Sequence, residues 1–109
     1  MDETVLRTLL FDFYGELLTE KQRECYDLHY NQDLSLQEIA EHYGATRQAV
    51  WDLVRRAEAA LRDIEGKTGL VARSVRRRRT LEEVTGMISS LPEFPEKRSV
   101  LDKLSELGD

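Results

Sequence analysis

The residues of this chain best suited to chemistry are polar and basic side chains of the kinds that bind nucleic acids. Arg47 and Gln48 stand next to each other, and arginine pairs with guanine and glutamine with adenine through two hydrogen bonds each. Thr46 and Arg55 are of types that contact phosphate oxygens. The predicted nucleic-acid contacts of this stretch are Thr46, Arg47, Gln48, Trp51, Arg55 and Arg56.

Two residues of the same stretch do not suit the reading of duplex DNA. Trp51 can either stack on an unpaired base or be buried against another protein. Asp52 would repel phosphate, although its position three and four residues before Arg55 and Arg56 also allows it to orient these arginines. Trp51 and Asp52 together favour RNA or protein over duplex DNA as the ligand.

A second basic feature is the run RSVRRRR at residues 73–79. Four consecutive residues cover about 300° of a helix, so four arginines in a row cannot all face water above a packed core. Either the helix projects as an arm that holds phosphates, or the arginine stems extend along the surface. A solvated patch without a ligand is the alternative. The arm residues predicted to bind nucleic acid are Arg73, Arg76, Arg77, Arg78 and Arg79.

The predicted nucleic-acid contacts from Thr46 to Arg56 require a helix–turn–helix to position them, and the sequence has the features of this motif. Ser35 with Glu38 three residues later is a capping box that begins a helix, and Gly44 ends that helix as a residue with positive φ. Thr46 then caps the following helix, and Ala40 is the small residue that a close crossing requires. The apolar residues that wedge the two helices together are Ile39, Val50 and Leu53. An ordinary helical hairpin meets these spacings less often.

The rest of the chain is predicted to be helical as well. Apolar residues at helical spacing indicate helices over 3–18, 20–30, 46–65, 70–91 and 96–107. Thr19 is predicted to cap the helix over 20–30, and LPEFPE at residues 91–96 is predicted to be a proline-containing turn. Gly66 and Gly69 are expected to break or bend the chain, and no segment has the alternation of a strand. We therefore predict an all-α fold of five to six helices, with a helix–turn–helix domain at residues 1–66 and a basic helical arm plus a C-terminal helix at residues 67–109.

The net charge of −5 hides an uneven distribution. Residues 1–46 carry a net charge of −7, residues 47–79 of +6 and residues 80–109 of −4. A basic middle between acidic ends favours contact with a polyanion at one face and repulsion elsewhere. Ordinary helix-surface charge is the alternative interpretation.

Nothing in the sequence indicates an enzyme. No nucleophile with a neighbouring base is recognisable, and GKT at residues 66–68 lacks the upstream glycine of a phosphate-binding loop, because that position is Leu61. His29 and His42 have no histidine or cysteine at metal-binding spacing. We therefore predict a protein without catalytic activity, cofactor or metal.

The expected compartment is the cytoplasm. The sequence has no apolar run of about 18 residues, so no membrane insertion is expected, and the N-terminus lacks the pattern of a secretory signal. The single cysteine, Cys25, is expected to be a small buried side chain in a reducing compartment.

Three motifs, LLTEKQ at 17–22, SLQEIAE at 35–41 and TRQAVWD at 46–52, resemble those of the YlxM family of small bacterial cytoplasmic proteins. The family form of the last motif is close to Ser-Arg-Gln-Ala-Val-Tyr-Asp, so an aromatic residue followed by aspartate looks like a family trait. The family itself resembles region 4 of sigma-70-type factors, which reads the promoter −35 element. The resemblance covers about residues 3–70, and RSVRRRR lies outside it.

The resemblance implies a non-enzymatic accessory or regulatory protein of the signal recognition particle pathway, with a sigma-70 region 4-like fold. Its implied partners are nucleic acid, either DNA or the RNA of the particle, and the GTPase of the particle. Two alternatives stay open: a transcription regulator that reads duplex DNA with the helix over 46–65, and a protein-interaction module that uses the helix–turn–helix face. A homodimer is a further hypothesis, since a second copy can complete the weak apolar stripe of residues 70–91.

Overall fold

The computed structural model describes residues 1–108, which are largely helical. The helices are α1 (Glu3–Tyr14), α2 (Glu20–Tyr26), α3 (Leu36–Tyr43), α4 (Arg47–Thr68), α5 (Leu70–Ser89) and α6 (Lys97–Leu107). A 3₁₀ turn, Gly15–Leu17, follows α1, and a π-helical turn, Asp27–Asn31, follows α2. No strand occurs in residues 1–108, and the predicted all-α fold is confirmed.

The chain divides into two compact units. The first unit is Met1–Val71 and contains α1 to α4, and the second begins at Ala72 and contains most of α5 and all of α6. The predicted division lay after residue 66, whereas the compact unit extends further along the chain. The reason is that Gly66 lies inside α4, which ends only at Gly69, where φ is +64°.

The first helix, α1, packs on α4 and on the π-helical turn. It buries Leu10 and Tyr14, whereas Val5 and Phe13 are 48% and 43% exposed, because its apolar stripe is wider than the surface that its neighbours cover. The α-helix ends at Tyr14, earlier than the predicted residue 18. The 3₁₀ turn then carries the chain to Leu18, which is buried.

The second helix, α2, begins after the predicted cap at Thr19, which is confirmed. The Thr19 side chain accepts a hydrogen bond from the Gln22 amide, while the Gln22 side chain accepts one from the Thr19 amide. The Tyr26 side chain is fully buried, and its hydroxyl donates to the Arg7 carbonyl oxygen at 2.9 Å, which fixes α2 to α1. Beyond Tyr26 the predicted helix widens into the π-helical turn, whose residues 27–30 are only half-buried.

Helices α3 and α4 form the predicted helix–turn–helix, and its predicted caps are confirmed. Ser35 Oγ accepts from the Glu38 amide at 3.1 Å, and Glu38 accepts from the Ser35 amide at 2.9 Å. The hydrogen bond that the Ser35 amide donates to the Glu38 carboxylate, followed by the contribution of the Ser35 hydroxyl, holds the pKa of the Glu38 carboxyl below its ordinary value. Gly44 ends α3 with a φ of +64°, and Thr46 caps α4 by accepting from the Ala49 amide at 3.1 Å.

The two helices cross over a small apolar core. Five buried side chains form it, none more than 2% exposed: Cys25, Ile39, Ala40, Val50 and Val54. We call these five residues the helix–turn–helix core. Leu53, which was predicted to wedge the helices together, packs against this core while partly buried.

The long helix α4 is the element on which the first unit is built. It contacts α1, α2 and α3. Its buried stripe consists of Val50, Val54, Ala57 and Leu61. Beside this stripe, Glu58 accepts a hydrogen bond from Arg7 Nε at 2.6 Å. The Tyr14 hydroxyl lies 2.6 Å from Glu65 Oε1 and 2.5 Å from Thr68 Oγ1, which ties α1 to the C-terminal end of α4.

The second unit has no buried residue between Ala72 and Gly108. Its helices α5 and α6 are connected by the predicted proline-containing turn LPEFPE at residues 91–96. The Lys97 ammonium donates to the carbonyl oxygens of Ser89 and Leu91 at 3.2 and 2.8 Å. This side chain therefore satisfies carbonyl groups at the C-terminal end of α5 that the helix itself leaves without partners.

The left-handed residue between α3 and α4 gives a prediction with a matched control. Gly44→Ala should lower the free energy of unfolding by about 1–2 kcal/mol, because alanine resists positive φ, although a Cβ there would meet no atom within 4 Å. Gly66→Ala also has open space, but it lies in helical backbone and should raise that free energy by about 0.5–1 kcal/mol. Urea unfolding followed by circular dichroism measures both, and effects of the same sign would contradict the prediction.

A hydrogen bond between α2 and α3 predicts how stability depends on pH. The Tyr43 hydroxyl donates to Glu24 Oε2 at 2.6 Å, and this bond raises the pKa of Tyr43 from 10.0 to about 12. Because the folded-state pKa is the higher one, the bond stabilises the fold fully below about pH 10 and stops doing so as the pH rises through about 12. The difference in unfolding free energy between the wild type and Tyr43→Phe should therefore shrink above about pH 10. Urea unfolding at about pH 8, 10 and 11 measures it, and a constant difference would contradict the prediction.

Candidate nucleic-acid interface

The outward face of α4 lies opposite its buried stripe and begins at the turn. Thr46, Arg47 and Gln48 are exposed at the start of the helix, and Arg55 and Arg56 are exposed further along it. The helix rises about 12 Å between Arg47 and Arg55. The residues predicted from this stretch all lie outside the buried stripe within this length, spread over about half of the helix circumference, and together they form one continuous exposed region. We call it the α4 face, and it consists of Thr46, Arg47, Gln48, Trp51, Asp52, Arg55 and Arg56.

The arginines of the α4 face differ in their partners from Arg7 and Arg62, the two arginines of the first unit that form ion pairs. Arg7 pairs with Glu58, and Arg62 pairs with Glu3. In the first unit, the three arginines of the α4 face, Arg47, Arg55 and Arg56, form no ion pair within residues 1–108, and neither does Arg23 of α2. A surface guanidinium without an internal carboxylate can bind an external anion without first breaking a bond, and such charge-assisted bonds are strong.

Asp52 is bonded to a glutamine and not to an arginine. Gln48 Nε2 donates to Asp52 Oδ1 at 3.1 Å, so the suggested pairing of Asp52 with Arg55 or Arg56 is not the one observed. Gln48 and Arg56 both lie four residues from Asp52, and it is the Gln48 amide that reaches the carboxylate, whereas Arg55 and Arg56 are exposed. Pairing with adenine uses one N–H of the amide as a donor and the amide oxygen as an acceptor, and the bond to Asp52 occupies one of the two N–H groups of Gln48.

Trp51 lies at the edge of the α4 face and is half-buried. Its ring packs against the helix–turn–helix core and meets the His29 ring edge to face, with centroids 6.4 Å apart. His29 Nδ1 is in turn 2.9 Å from the Leu34 carbonyl oxygen, within hydrogen-bonding distance. Trp51 is therefore positioned by the protein interior while part of it reaches the surface. Sequence reasoning missed His29 as its neighbour, because the π-helical turn that brings it there does not follow the α-helical period.

Two open concavities lie along the α4 face. The first has a volume of about 450 Å³ and is lined by Leu36, Arg47, Gln48 and Trp51. The second has a volume of about 300 Å³ and is lined by Asp52, Arg55, Arg56 and Ala59. Leu36 was not among the predicted site residues, because the crossing of α3 and α4 brings it to this surface and sequence spacing does not reveal such a neighbour. Basic side chains next to aromatic or apolar surface suit a ligand that has both phosphates and bases.

The second predicted set of arginines belongs to the second unit and lies on α5. All five are exposed: Arg73, Arg76, Arg77, Arg78 and Arg79. The last four are consecutive, and steps of about 100° distribute them around most of the helix. They form a basic surface on α5 that is separate in sequence from the α4 face.

Residues 1–108 contain no cluster of candidate metal ligands and no membrane-crossing helix. No group of three or more His, Cys, Asp or Glu side chains in that range is placed to hold a metal ion. None of the helices there is long and apolar enough to cross a membrane. The α4 face itself offers hydrogen-bond donors, positive charge and one aromatic ring.

The chain has bacterial relatives that match most of its length. A UPF0122 protein of Clostridium kluyveri is 44% identical over 105 residues, which are 95% of this chain and 93% of that protein. A UPF0122 protein of Shouchella clausii is 42% identical over 107 residues, which are 98% of each chain. A UPF0122 protein of Symbiobacterium thermophilum is 54% identical over 76 residues, which are 70% of this chain and 71% of that protein.

The family to which these relatives belong, UPF0122, is described as a helix-turn-helix protein, "YlxM / p13 like", and it matches residues 1–101. The match confirms the YlxM resemblance and extends it past residue 70 through α5 and into α6. The resemblance noted from motifs ended earlier because α5 has few distinctive spacings. With a match over nearly the whole chain and relatives at this level of identity, the chain belongs to the UPF0122 family of YlxM/p13-like helix–turn–helix proteins.

Proposed function

We propose that this protein binds nucleic acid through the α4 face and acts, without catalysing a reaction, as an accessory or regulatory factor of the signal recognition particle pathway. One observation carries the binding proposal: Arg47, Arg55 and Arg56 are exposed on one helix and form no ion pair within residues 1–108. In a chain with a net charge of −5, basic side chains left unpaired on one face favour an external polyanion.

The choice of pathway rests on the resemblance to the YlxM family. In this proposal the ligand is the RNA of the signal recognition particle, the particle's GTPase is the candidate protein partner, and the compartment is the cytoplasm. The half-buried Trp51, which can stack on an unpaired base, favours RNA over duplex DNA. The basic surface of α5 would add phosphate contacts through Arg73, Arg76, Arg77, Arg78 and Arg79.

Two other functions have support from single observations. A transcription regulator that reads duplex DNA with α4 is favoured by the exposure of Arg47 at the start of the second helix, where recognition helices contact base edges. A protein-interaction module is favoured by Trp51, since half-buried tryptophan is typical of interface centres.

The dependence of binding affinity on salt concentration tests the proposal. The affinity is measured by the fluorescence anisotropy of labelled signal recognition particle RNA and of labelled random duplex DNA at two salt concentrations. Arg47→Ala and Arg55→Ala should each weaken binding and lower the slope of log affinity against log salt by about 1, since one phosphate contact is lost. Replacing Arg76 to Arg79 by alanine should lower it by up to about 3–4. As a control, Arg98→Ala removes an exposed arginine of α6 outside both sets, and it should change neither quantity.

The results of these binding measurements distinguish the three candidate functions. A preference for the RNA that is lost in Arg47→Ala supports the accessory factor, whereas a sequence-dependent preference for duplex DNA supports the transcription regulator. Equal, weak and salt-sensitive binding to both ligands supports only a general basic face. An absence of binding to either ligand contradicts the nucleic-acid proposal and leaves the protein-interaction module.

We also propose a second copy of the chain as the partner of the second unit. No residue between Ala72 and Gly108 is buried, and units shorter than about 40 residues rarely hold a core of their own. On α5 the run of arginines precedes Leu81, and Glu82 and Glu83 follow it. An antiparallel second copy with its two-fold axis at Leu81 would therefore place opposite charges side by side.

This arrangement predicts a dimer that one substitution disrupts. Leu81→Asp should convert it to a monomer at micromolar concentration, because two carboxylates would meet at the two-fold axis and lose water there. Ser89→Asp changes an exposed position of the same helix and should leave the dimer intact. Sedimentation equilibrium measures the mass, and a monomer mass for the unmodified protein would contradict the proposal.

A further inference from the structure

The concavity beside Trp51 has the composition of a site for a flat aromatic group. Trp51 and Leu36 contribute apolar surface to it, and Arg47 and Gln48 contribute hydrogen-bonding groups. Its volume of about 450 Å³ lies in the range of about 300–1,000 Å³ that is typical of small-ligand sites. A nucleobase together with its phosphate combines the same properties, a planar ring and an anion.

Trp51 is held in place on its protein side. Its ring packs against the helix–turn–helix core and against the edge of His29, at 6.4 Å between centroids. A side chain that is already ordered loses little conformational freedom when a ligand binds to it. Trp51 can therefore serve as a fixed platform for a second ring.

A base inside a duplex cannot use such a platform. Paired bases stack on their neighbours and present only their edges in the grooves, whereas an indole offers a flat face and a single N–H donor. Unpaired bases are free to stack on aromatic side chains. Gln48 keeps its amide oxygen available as an acceptor, since its bond to Asp52 uses the nitrogen.

We infer that Trp51 stacks with an unpaired nucleobase in this concavity while Arg47 binds the adjoining phosphate. Because this inference rests on the proposed function, it names the part of the nucleic acid that the α4 face binds: a single-stranded loop or end. It also gives Asp52 a role, because the bond from Gln48 holds the amide in one orientation beside the base. Asp52 acts here as a positioning residue.

The composition of the chain allows a direct test. Trp51 is the only tryptophan, so the tryptophan fluorescence of the full chain reports on this site alone. The probes are a single-stranded RNA of about 10 nucleotides and a blunt RNA duplex of the same sequence, each also labelled for anisotropy. Stacking should quench the tryptophan emission on binding of the single strand, while a duplex held through its phosphates should leave the emission nearly unchanged.

Substitutions distinguish the loss of the aromatic face of Trp51 from the loss of its packing against the helix–turn–helix core. Trp51→Leu should weaken binding of the single strand roughly 5- to 150-fold, the range found when a stacking aromatic is removed, and leave duplex binding within about twofold. Trp51→Phe keeps a ring and should restore most of the affinity. Leu53→Ala is the matched control, because Leu53 packs on the same core and its truncation lowers stability without removing an aromatic face.

The inference and the proposed function fail in different ways. Binding of the single strand without a change in emission, and with equal affinity in Trp51→Leu, would overturn base stacking and leave the proposed function intact. Failure of both probes to bind would overturn the two together. If Trp51→Leu does not fold, the emission of the unmodified protein still decides between stacking and its absence.

Discussion

The left-handed backbone at Gly44 determines how α4 leaves α3, and the surface that α4 exposes follows from it. A φ of +64° at this residue lets the chain reverse within a short turn, so that Ala40 and Val50 join one core. Once Val50 points inward, the 100° step of the helix directs Gln48 and Arg55 outward. Their positions on the helix therefore result from the burial of other residues, and the bond from Gln48 to Asp52 sets only the orientation of the amide.

The first unit separates its arginines into two groups with different tasks. Arg7 bonds to Glu58 and lies over the Tyr30 ring at 4.5 Å, so its charge is satisfied inside the protein. Arg47 and Arg55 have no such partner within residues 1–108. Counting basic residues along the sequence cannot make this distinction, because it depends on which carboxylates the fold brings near. If a polyanion binds as proposed, the acidic remainder of the chain would repel it and direct it to the unpaired group.

The features that the sequence predicted well are those set by interactions within a few residues. The caps at Thr19, Ser35 and Thr46 each join a side chain to an amide three residues later, and Gly44 was predicted from its own backbone freedom. Gly66 was misjudged as part of a break because a helix stabilised by its buried stripe tolerates a glycine on an exposed side. The π-helical turn and the contact of Trp51 with His29 were missed, since both depend on packing between segments distant in sequence. Whether the predicted α4 residues bind a ligand depends in the same way on a molecule that lies outside the sequence.

The half-burial of Trp51 divides the α4 face into one position that serves both the core and the surface and others that serve the surface alone. Replacing Trp51 alters the core and the ligand surface in a single step, so few residues satisfy both demands at once. Arg47 and Arg55 support no internal contact of this kind, and a lineage can exchange them with little effect on folding. A new binding preference can therefore arise in descendants of this scaffold by drift at the exposed positions, while the aromatic at the edge of the face is inherited with the fold.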